Sequence, residues 1–376
     1  MSDIKRVCDC TRCGLPSEFP GTQIDLTGQC RLCRETKQDS WPSLGEEALR
    51  DLIIERAGSA RWACLVAFSG GKDSTYMLRR LAEWFPQRVL AFTFDTQVMS
   101  EETWNNIDRV VGKLGVEWVK HVPRAGYMNT LFQKVFPKLV ELRQKTLYSR
   151  GVLEFGPICW PCGTLYNLQT IRAALEREIP TVLVGFNPAQ DSTHYPHAHG
   201  QLKTPGDLHQ ARQTPREDGI SAKDYVTMTS PIRRLIRAEL GEVNAAEYCD
   251  FTIDTNFKKM RVLRFYDYVN YDETAIRKSA AEVGFVAPPD CGYGSTNCTL
   301  NPLVRHVYQA LYGVDKYRAQ DAALVRWGLG SRSKTSDWAS QVPDRASVLP
   351  LVEKIQIGAA QFDAILSEKP AETSLK

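Results

Sequence analysis

Two kinds of residue in this chain have the types and spacing to do chemistry. The first is a glycine-rich turn. An apolar run at 62–68 ends in Ala67 and Phe68, Ser69, Gly70, Gly71, Lys72, Asp73 and Ser74 follow, and a helix pattern covers 73–84. Two adjacent glycines let backbone N–H groups approach an anion with no Cβ in the way. The start of the helix adds unpaired donors and the positive end of its dipole. Lys72 supplies a point charge for phosphate, and Ser74 is placed to cap the helix or to bond a phosphate oxygen. The turn is not a Walker A loop, which needs four residues between its first Gly and Gly-Lys-Ser/Thr.

The second kind is paired cysteine. Cys10 and Cys13 form one C-x2-C pair, and Cys30 and Cys33 another. The spacer 14–29 lies within the roughly 15–20 residues of a zinc ribbon. Four thiolates on two tight turns make a closed tetrahedral structural Zn2+ site, whose metal supplies the folding energy of a module too small for a core of its own. Cys8 is an alternative ligand or a bystander. A third pair, Cys159 and Cys162, leaves three readings open: buried unmetallated thiols, a 4Fe–4S cluster completed by Cys291 or Cys298, or a second metal (zinc) or redox-active dithiol site. Cys64 and Cys249 read as packing residues. His194, His197 and His199 read as a solvated loop in preference to a metal site.

These residues need elements to position them. Strand-like runs at 62–68, 88–95, 118–122 and 180–186 alternate with helix patterns at 73–84, 101–114 and 165–178. That alternation implies βαβ units and a parallel sheet. The divisions read from the sequence are a zinc-ribbon module at 1–40, an α/β domain at 41–235, a mostly helical substrate or partner region at 236–366 and a disordered tail at 367–376. A long polar loop is expected over 190–225.

With 43% hydrophobic and 24% charged residues the composition is that of an ordinary globular protein. A formal net charge of +3 on 376 residues excludes nucleic-acid binding by bulk charge alone. Arg233, Arg234 and Arg237 form a local basic stretch, read as a solvated helix face. No apolar run approaches the ~18–20 residues of a membrane span, and the N-terminus has no apolar signal-peptide core. The expected location is the cytoplasm, where clustered cysteines serve as ligands or catalytic groups in preference to disulfides.

The six residues SGGKDS resemble the PP-loop of the ATP-pyrophosphatase superfamily. The resemblance implies a parallel-sheet, adenine-nucleotide α-hydrolase-like fold and cleavage of ATP between its α- and β-phosphates. It also implies adenosine binding near Thr93, Phe94 and Asp95, and a phosphate-facing turn at Gly185 and Asn187 in VGFNPAQD, with Phe186 where His is frequent. The opening CTRCGLPSEFPGTQIDLTGQCRLC and the later CWPC resemble bacterial N-acetyl sugar amidotransferases of surface-polysaccharide biosynthesis, although Gly163 stands where that family usually has His. A zinc module, a PP-loop, an internal C-x2-C and one later cysteine are also shared with PP-loop tRNA thiolation enzymes.

The expected chemistry is attack of a substrate carbonyl or amide oxygen on the α-phosphorus of ATP. Lys72 and the loop amides stabilise the departing pyrophosphate, and Asp73 binds or orients Mg2+. Ammonia then displaces AMP. No N-terminal cysteine follows Met1, so the ammonia is expected from a separate glutaminase subunit, and the acceptor is a small molecule such as a nucleotide sugar. The alternative is displacement by sulfur from an iron–sulfur cluster, with a nucleobase or small molecule as acceptor; nucleic acid is a partner only there. In both readings Lys72, Asp73, Ser74, Cys159 and Cys162 are the catalytic set. A non-enzymatic nucleotide-binding protein is the third reading, and the intact loop argues against it.

Overall fold

The computed structural model describes residues 9–19, 21–36, 40–190, 215, 217–251, 259–292, 294 and 297–367. Cys8, the three histidines at 194–199 and the tail 368–376 lie outside these residues.

The fold is α/β. Its sheet has six strands: β1 (Cys64–Ala67), β2 (Val89–Phe94), β3 (Glu117–His121), β4 (Thr181–Val184), β5 (Ile220–Ser221) and β6 (Arg261–Arg264). Their order is β3-β2-β1-β4-β6-β5. The first five strands of that order are parallel, and β5 closes one edge antiparallel to β6. β1, β2 and β4 are buried along their whole length, as parallel strands covered on both faces must be, which is why they read as unbroken apolar runs. Alternate residues feed opposite layers. Leu65, Leu90 and Phe92 pack toward helices Tyr127–Glu141 and Thr146–Leu175, while Cys64, Val66 and Ala91 pack toward helices Glu46–Ala57, Lys72–Trp84 and Glu101–Leu114.

The chain winds outward from β1 through β2 to β3, then crosses back to β4 on the other side of β1. The winding thus reverses between β1 and β4. In open α/β sheets the crevice outside the carboxyl ends of two such strands is where ligands bind.

Three segments differ from the sequence reading. The helix expected at 165–178 begins far earlier. Helix continues through Thr146–Leu175 except for a break at Gly156 (φ 79°, ψ 161°), so Cys159 and Cys162 lie in the opening turns of its second half. Pro157 marks a helix start, because the first N–H groups of a helix have no partner to lose. Within the expected 190–225 loop, residues 220–221 form β5 and Ala222–Met228 a helix capped by the Ser221 side chain. Last, β6 comes from beyond residue 235, in the region the sequence reads as mostly helical. Its RVLR sequence hides the strand, because Arg264 is completely buried beside Asp267 at 3.6 Å and does not face water.

The remaining C-terminal part is helical. The cysteine module does not stand apart. Its buried residues share a core with Val314, Ala319 and Ala322, and Arg318 donates to Asp9 (2.6 Å) and to the Gly14 carbonyl (3.0 Å). Of the basic stretch, Arg233 bonds the carbonyls of Cys249 and Val226, and Arg237 pairs with Glu242 and Asp250; Arg234 is exposed. No helix among the described residues is long and apolar enough to cross a membrane.

Candidate active site and cysteine centres

A cavity of about 600 Å³ occupies the crevice at the reversal point. Ala67, Ser69, Gly71, Asp73 and Ser74 line it after β1, and Gly185, Phe186 and Gln190 after β4.

The loop itself is built by close approach. Gly70 has φ +72°, and a Cβ there would meet Ile107 and Thr103 side-chain atoms at 2.8 Å. A side chain would therefore push the loop off the helix Glu101–Leu114. Gly71, not Ser74, occupies the N-cap of the helix Lys72–Trp84. Ser74 sits one turn in, where its hydroxyl donates to the Gly71 carbonyl (3.0 Å) and lies 3.2 Å from that of Ser69. Gly185 packs against the same turn: a Cβ there would lie 3.5 Å from Ser74 Cα.

Lys72 does not line the cavity. Its ammonium donates to both carboxylate oxygens of Asp73 (2.8 and 2.7 Å) and to the Tyr271 hydroxyl (3.3 Å), with Glu273 at 3.9 Å. Asp73, paired with Lys72, and the buried Glu154 are the carboxylates that line the cavity. The Asn187 side chain accepts from Ala189 N (2.9 Å) in a tight turn, and its carbonyl accepts from Arg264 (2.6 Å). Thr93 and Phe94 are buried beneath the cavity: Thr93 donates to the Phe68 carbonyl (2.6 Å), and Phe94 packs on His121, Tyr166 and Tyr248. Asp95 holds Gln97 N (2.8 Å). The wall on that side is made by the next residues, Thr96, Val98 and Met99. Phe68 faces the opposite core layer.

Cys159 and Cys162, three apart on one helix, share a face and line the cavity. Cys298 joins them. Its backbone pairs with Met99 as an isolated antiparallel bridge, reinforced by Thr299 N to the Val98 carbonyl (2.9 Å). Burial raises the Cys162 thiol well above its ordinary value, and Cys298 and Cys159 add to the rise. Burial and then Cys159 push Cys298 up to about 12. Cys162 and Cys298 thus resist ionisation, chiefly through desolvation. A cation bound beside them would favour their thiolate form. Cys291 is fully buried, is pushed up to about 12 by burial and then Asp290, and does not line the cavity.

The N-terminal centre has a different build. Cys10, Cys13, Cys30 and Cys33 are all buried, with ligand atoms within 4.8 Å of one another. Cys10 and Cys33 sulfurs lie 3.7 Å apart, as do those of Cys13 and Cys30. A tetrahedron with Zn–S bonds of ~2.3 Å requires sulfurs ~3.8 Å apart, so the four fit one zinc ion. Cys30 N donates to Cys10 Sγ (3.3 Å) and Arg326 to Cys13 Sγ (3.6 Å), contacts that offset thiolate charge.

Tyr271 and Glu273 carry no motif, so sequence alone reveals neither, and it does not rank Cys298 above Cys291. The Ser-Thr-Asn-Cys turn before Cys298 is the available signal.

Fold and site together define an α/β protein with a mostly parallel sheet, a glycine turn at its reversal point and a thiol-lined cavity. No family model and no curated protein matches the chain. A similar solved structure is the U34-tRNA thiolase NcsA from Methanococcus maripaludis with its 4Fe–4S cluster. It shares 14% identity over 98% of this chain and 90% of that one, with a TM-score of 0.34. A likeness that faint carries no argument, and function has to be read from the residues themselves.

Proposed function

We propose that this protein is an enzyme that adenylates a carbonyl or amide oxygen of an acceptor with ATP and then replaces that oxygen with sulfur. The observation that carries the reading is that Cys159, Cys162 and Cys298 line the same cavity as Ser69, Gly71, Asp73 and Ser74. The acceptor oxygen forms a bond to the α-phosphorus, and the bond to the β-phosphate oxygen breaks. Pyrophosphate leaves with that electron pair toward the N–H groups at the start of the helix Lys72–Trp84. Asp73 would hold Mg2+, which would neutralise phosphate charge. Hydrosulfide then bonds to the activated carbon and gives up its proton to solvent, and AMP departs with the oxygen and the C–O electron pair. A 4Fe–4S cluster held by the three thiols would supply the site where that sulfur is carried. Cys10, Cys13, Cys30 and Cys33 hold a structural zinc. The test is anaerobic purification with metal and sulfide analysis. Brown protein with roughly four irons per chain, lost on Cys298→Ser, supports the reading; protein that stays colourless and iron-free after reconstitution contradicts it.

Amidotransfer shares the first step and differs only in using ammonia to displace AMP. Arg233 and Arg237 are tied to neighbouring carbonyls and carboxylates, which favours a small-molecule acceptor in either reading. Product formation driven by ammonium with iron-free protein is the signature of amidotransfer.

A further inference from the structure

The segment after β6 brings two residues up behind the phosphate loop. Tyr271 is 4% exposed. Its hydroxyl takes a hydrogen bond from Lys72 (3.3 Å) on the turn after β1. Just before this segment, Arg264 at the end of β6 reaches the turn after β4, where it donates to the Asn187 carbonyl (2.6 Å). This stretch of chain therefore ties together the two limbs of the crevice. The Lys72 ammonium also lies 5.8 Å from the centre of the Tyr271 ring.

Two residues further on, Glu273 opens the helix Glu273–Glu282. One of its oxygens lies 3.9 Å from Lys72 and accepts from Arg277 (2.7 Å); the other accepts from Lys334 (2.5 Å). Lys334 in turn lies 3.3 Å from Asp321, which accepts from Trp338 (2.7 Å). Burial alone would raise the Glu273 carboxyl, but Lys72, Lys334 and Arg277 together bring it down to about 2. The cation of the loop is thus held between Asp73, which faces the cavity, and Glu273, which does not.

We propose that Tyr271 and Glu273 are positioning residues for the nucleotide site: they hold Lys72 in register with Asp73 on the loop after β1. The proposal rests on the reading of the crevice as a nucleotide site and adds a third limb, delivered by β6. Two carboxylates share one ammonium, so a Mg2+ ion arriving at Asp73 loosens Lys72 from that side only. Glu273 and Tyr271 keep it beside the loop.

The test is a double-mutant cycle on binding of Mg2+ and the non-cleavable analogue α,β-methylene-ATP, measured by calorimetry. Glu273→Gln is expected to weaken binding about tenfold when Lys72 is present and less than about twofold in a Lys72→Ala background, because it acts through Lys72. Glu273→Asp should recover part of the loss. Tyr271→Phe keeps the ring and deletes only the hydroxyl; it is expected to show the same dependence on Lys72, and it carries the test should Glu273→Gln fail to fold. Equal losses in the two backgrounds, or no loss from either change, would overturn this proposal and leave the nucleotide reading standing. No binding to the unaltered protein would overturn both.

Discussion

Cys298 and Met99 pair as an isolated antiparallel bridge, and that pairing brings a cysteine from the C-terminal part to the rim left by β2. It makes Cys298 the third thiol of a cavity that already holds Cys159 and Cys162, and it leaves Cys291 buried behind the wall. Cys298→Ser is therefore expected to abolish iron incorporation on anaerobic reconstitution, and Cys291→Ser to leave it within about twofold of the unaltered protein. Iron and sulfide assays on the two variants check this. Loss of iron in Cys291→Ser with retention in Cys298→Ser would reverse the assignment.

The N-terminal cysteines are expected to bind about one zinc per chain. Their module packs on the helix Lys316–Arg326, whose residues Lys316, Tyr317 and Gln320 line the cavity. Losing the metal should therefore do more than unfold an appendage. Cys30→Ser should lower zinc content, lower Tm by several degrees and weaken nucleotide binding. Full zinc content in each of the four single Ser variants would contradict the site.

How much of this is legible in the sequence depends on what each residue has to announce. The parallel strands β1, β2 and β4 are visible because burial on both faces requires continuous apolar runs. The loop and the four N-terminal cysteines are visible because their chemistry is local in sequence. β6 is not, since its terminal arginine is buried by an ion pair that only the folded chain supplies. The sequence places Lys72 against phosphate, yet its neighbours Tyr271 and Glu273 lie about 200 residues away and leave no spacing to detect. Of the adenosine contacts expected at Thr93–Asp95, Thr93 and Phe94 are buried and none of the three lines the cavity, whose wall there includes Thr96.

Gly70→Ala should be costly for reasons separate from chemistry. The residue has φ +72°, and its new methyl would overlap Ile107 and Thr103. A loss of about 1–3 kcal/mol in stability is expected from the backbone strain, together with weaker nucleotide binding. Urea denaturation with calorimetry checks both; an unchanged midpoint would contradict the close approach.

Glu273 has a folded-state carboxyl at about 2 against an ordinary 4.5, with burial opposing the shift and Lys72 the first group producing it. A depressed carboxylate stabilises the fold above its unfolded value, and that contribution is lost as pH falls through the folded value. The unaltered protein should therefore lose stability between about pH 4.5 and 2, and Glu273→Gln should lose less over the same window. Parallel slopes for the two proteins would contradict the ion network.

The central claim is that the loop directs cleavage between the α- and β-phosphates. Its most direct measurement is product analysis of ATP labelled at the α- and γ-positions, incubated with anaerobically reconstituted protein, with Lys72→Ala as the control. The account predicts AMP and pyrophosphate, and a loss of at least about a hundredfold in Lys72→Ala with the fold retained by circular dichroism. ADP and inorganic phosphate as the products would contradict it.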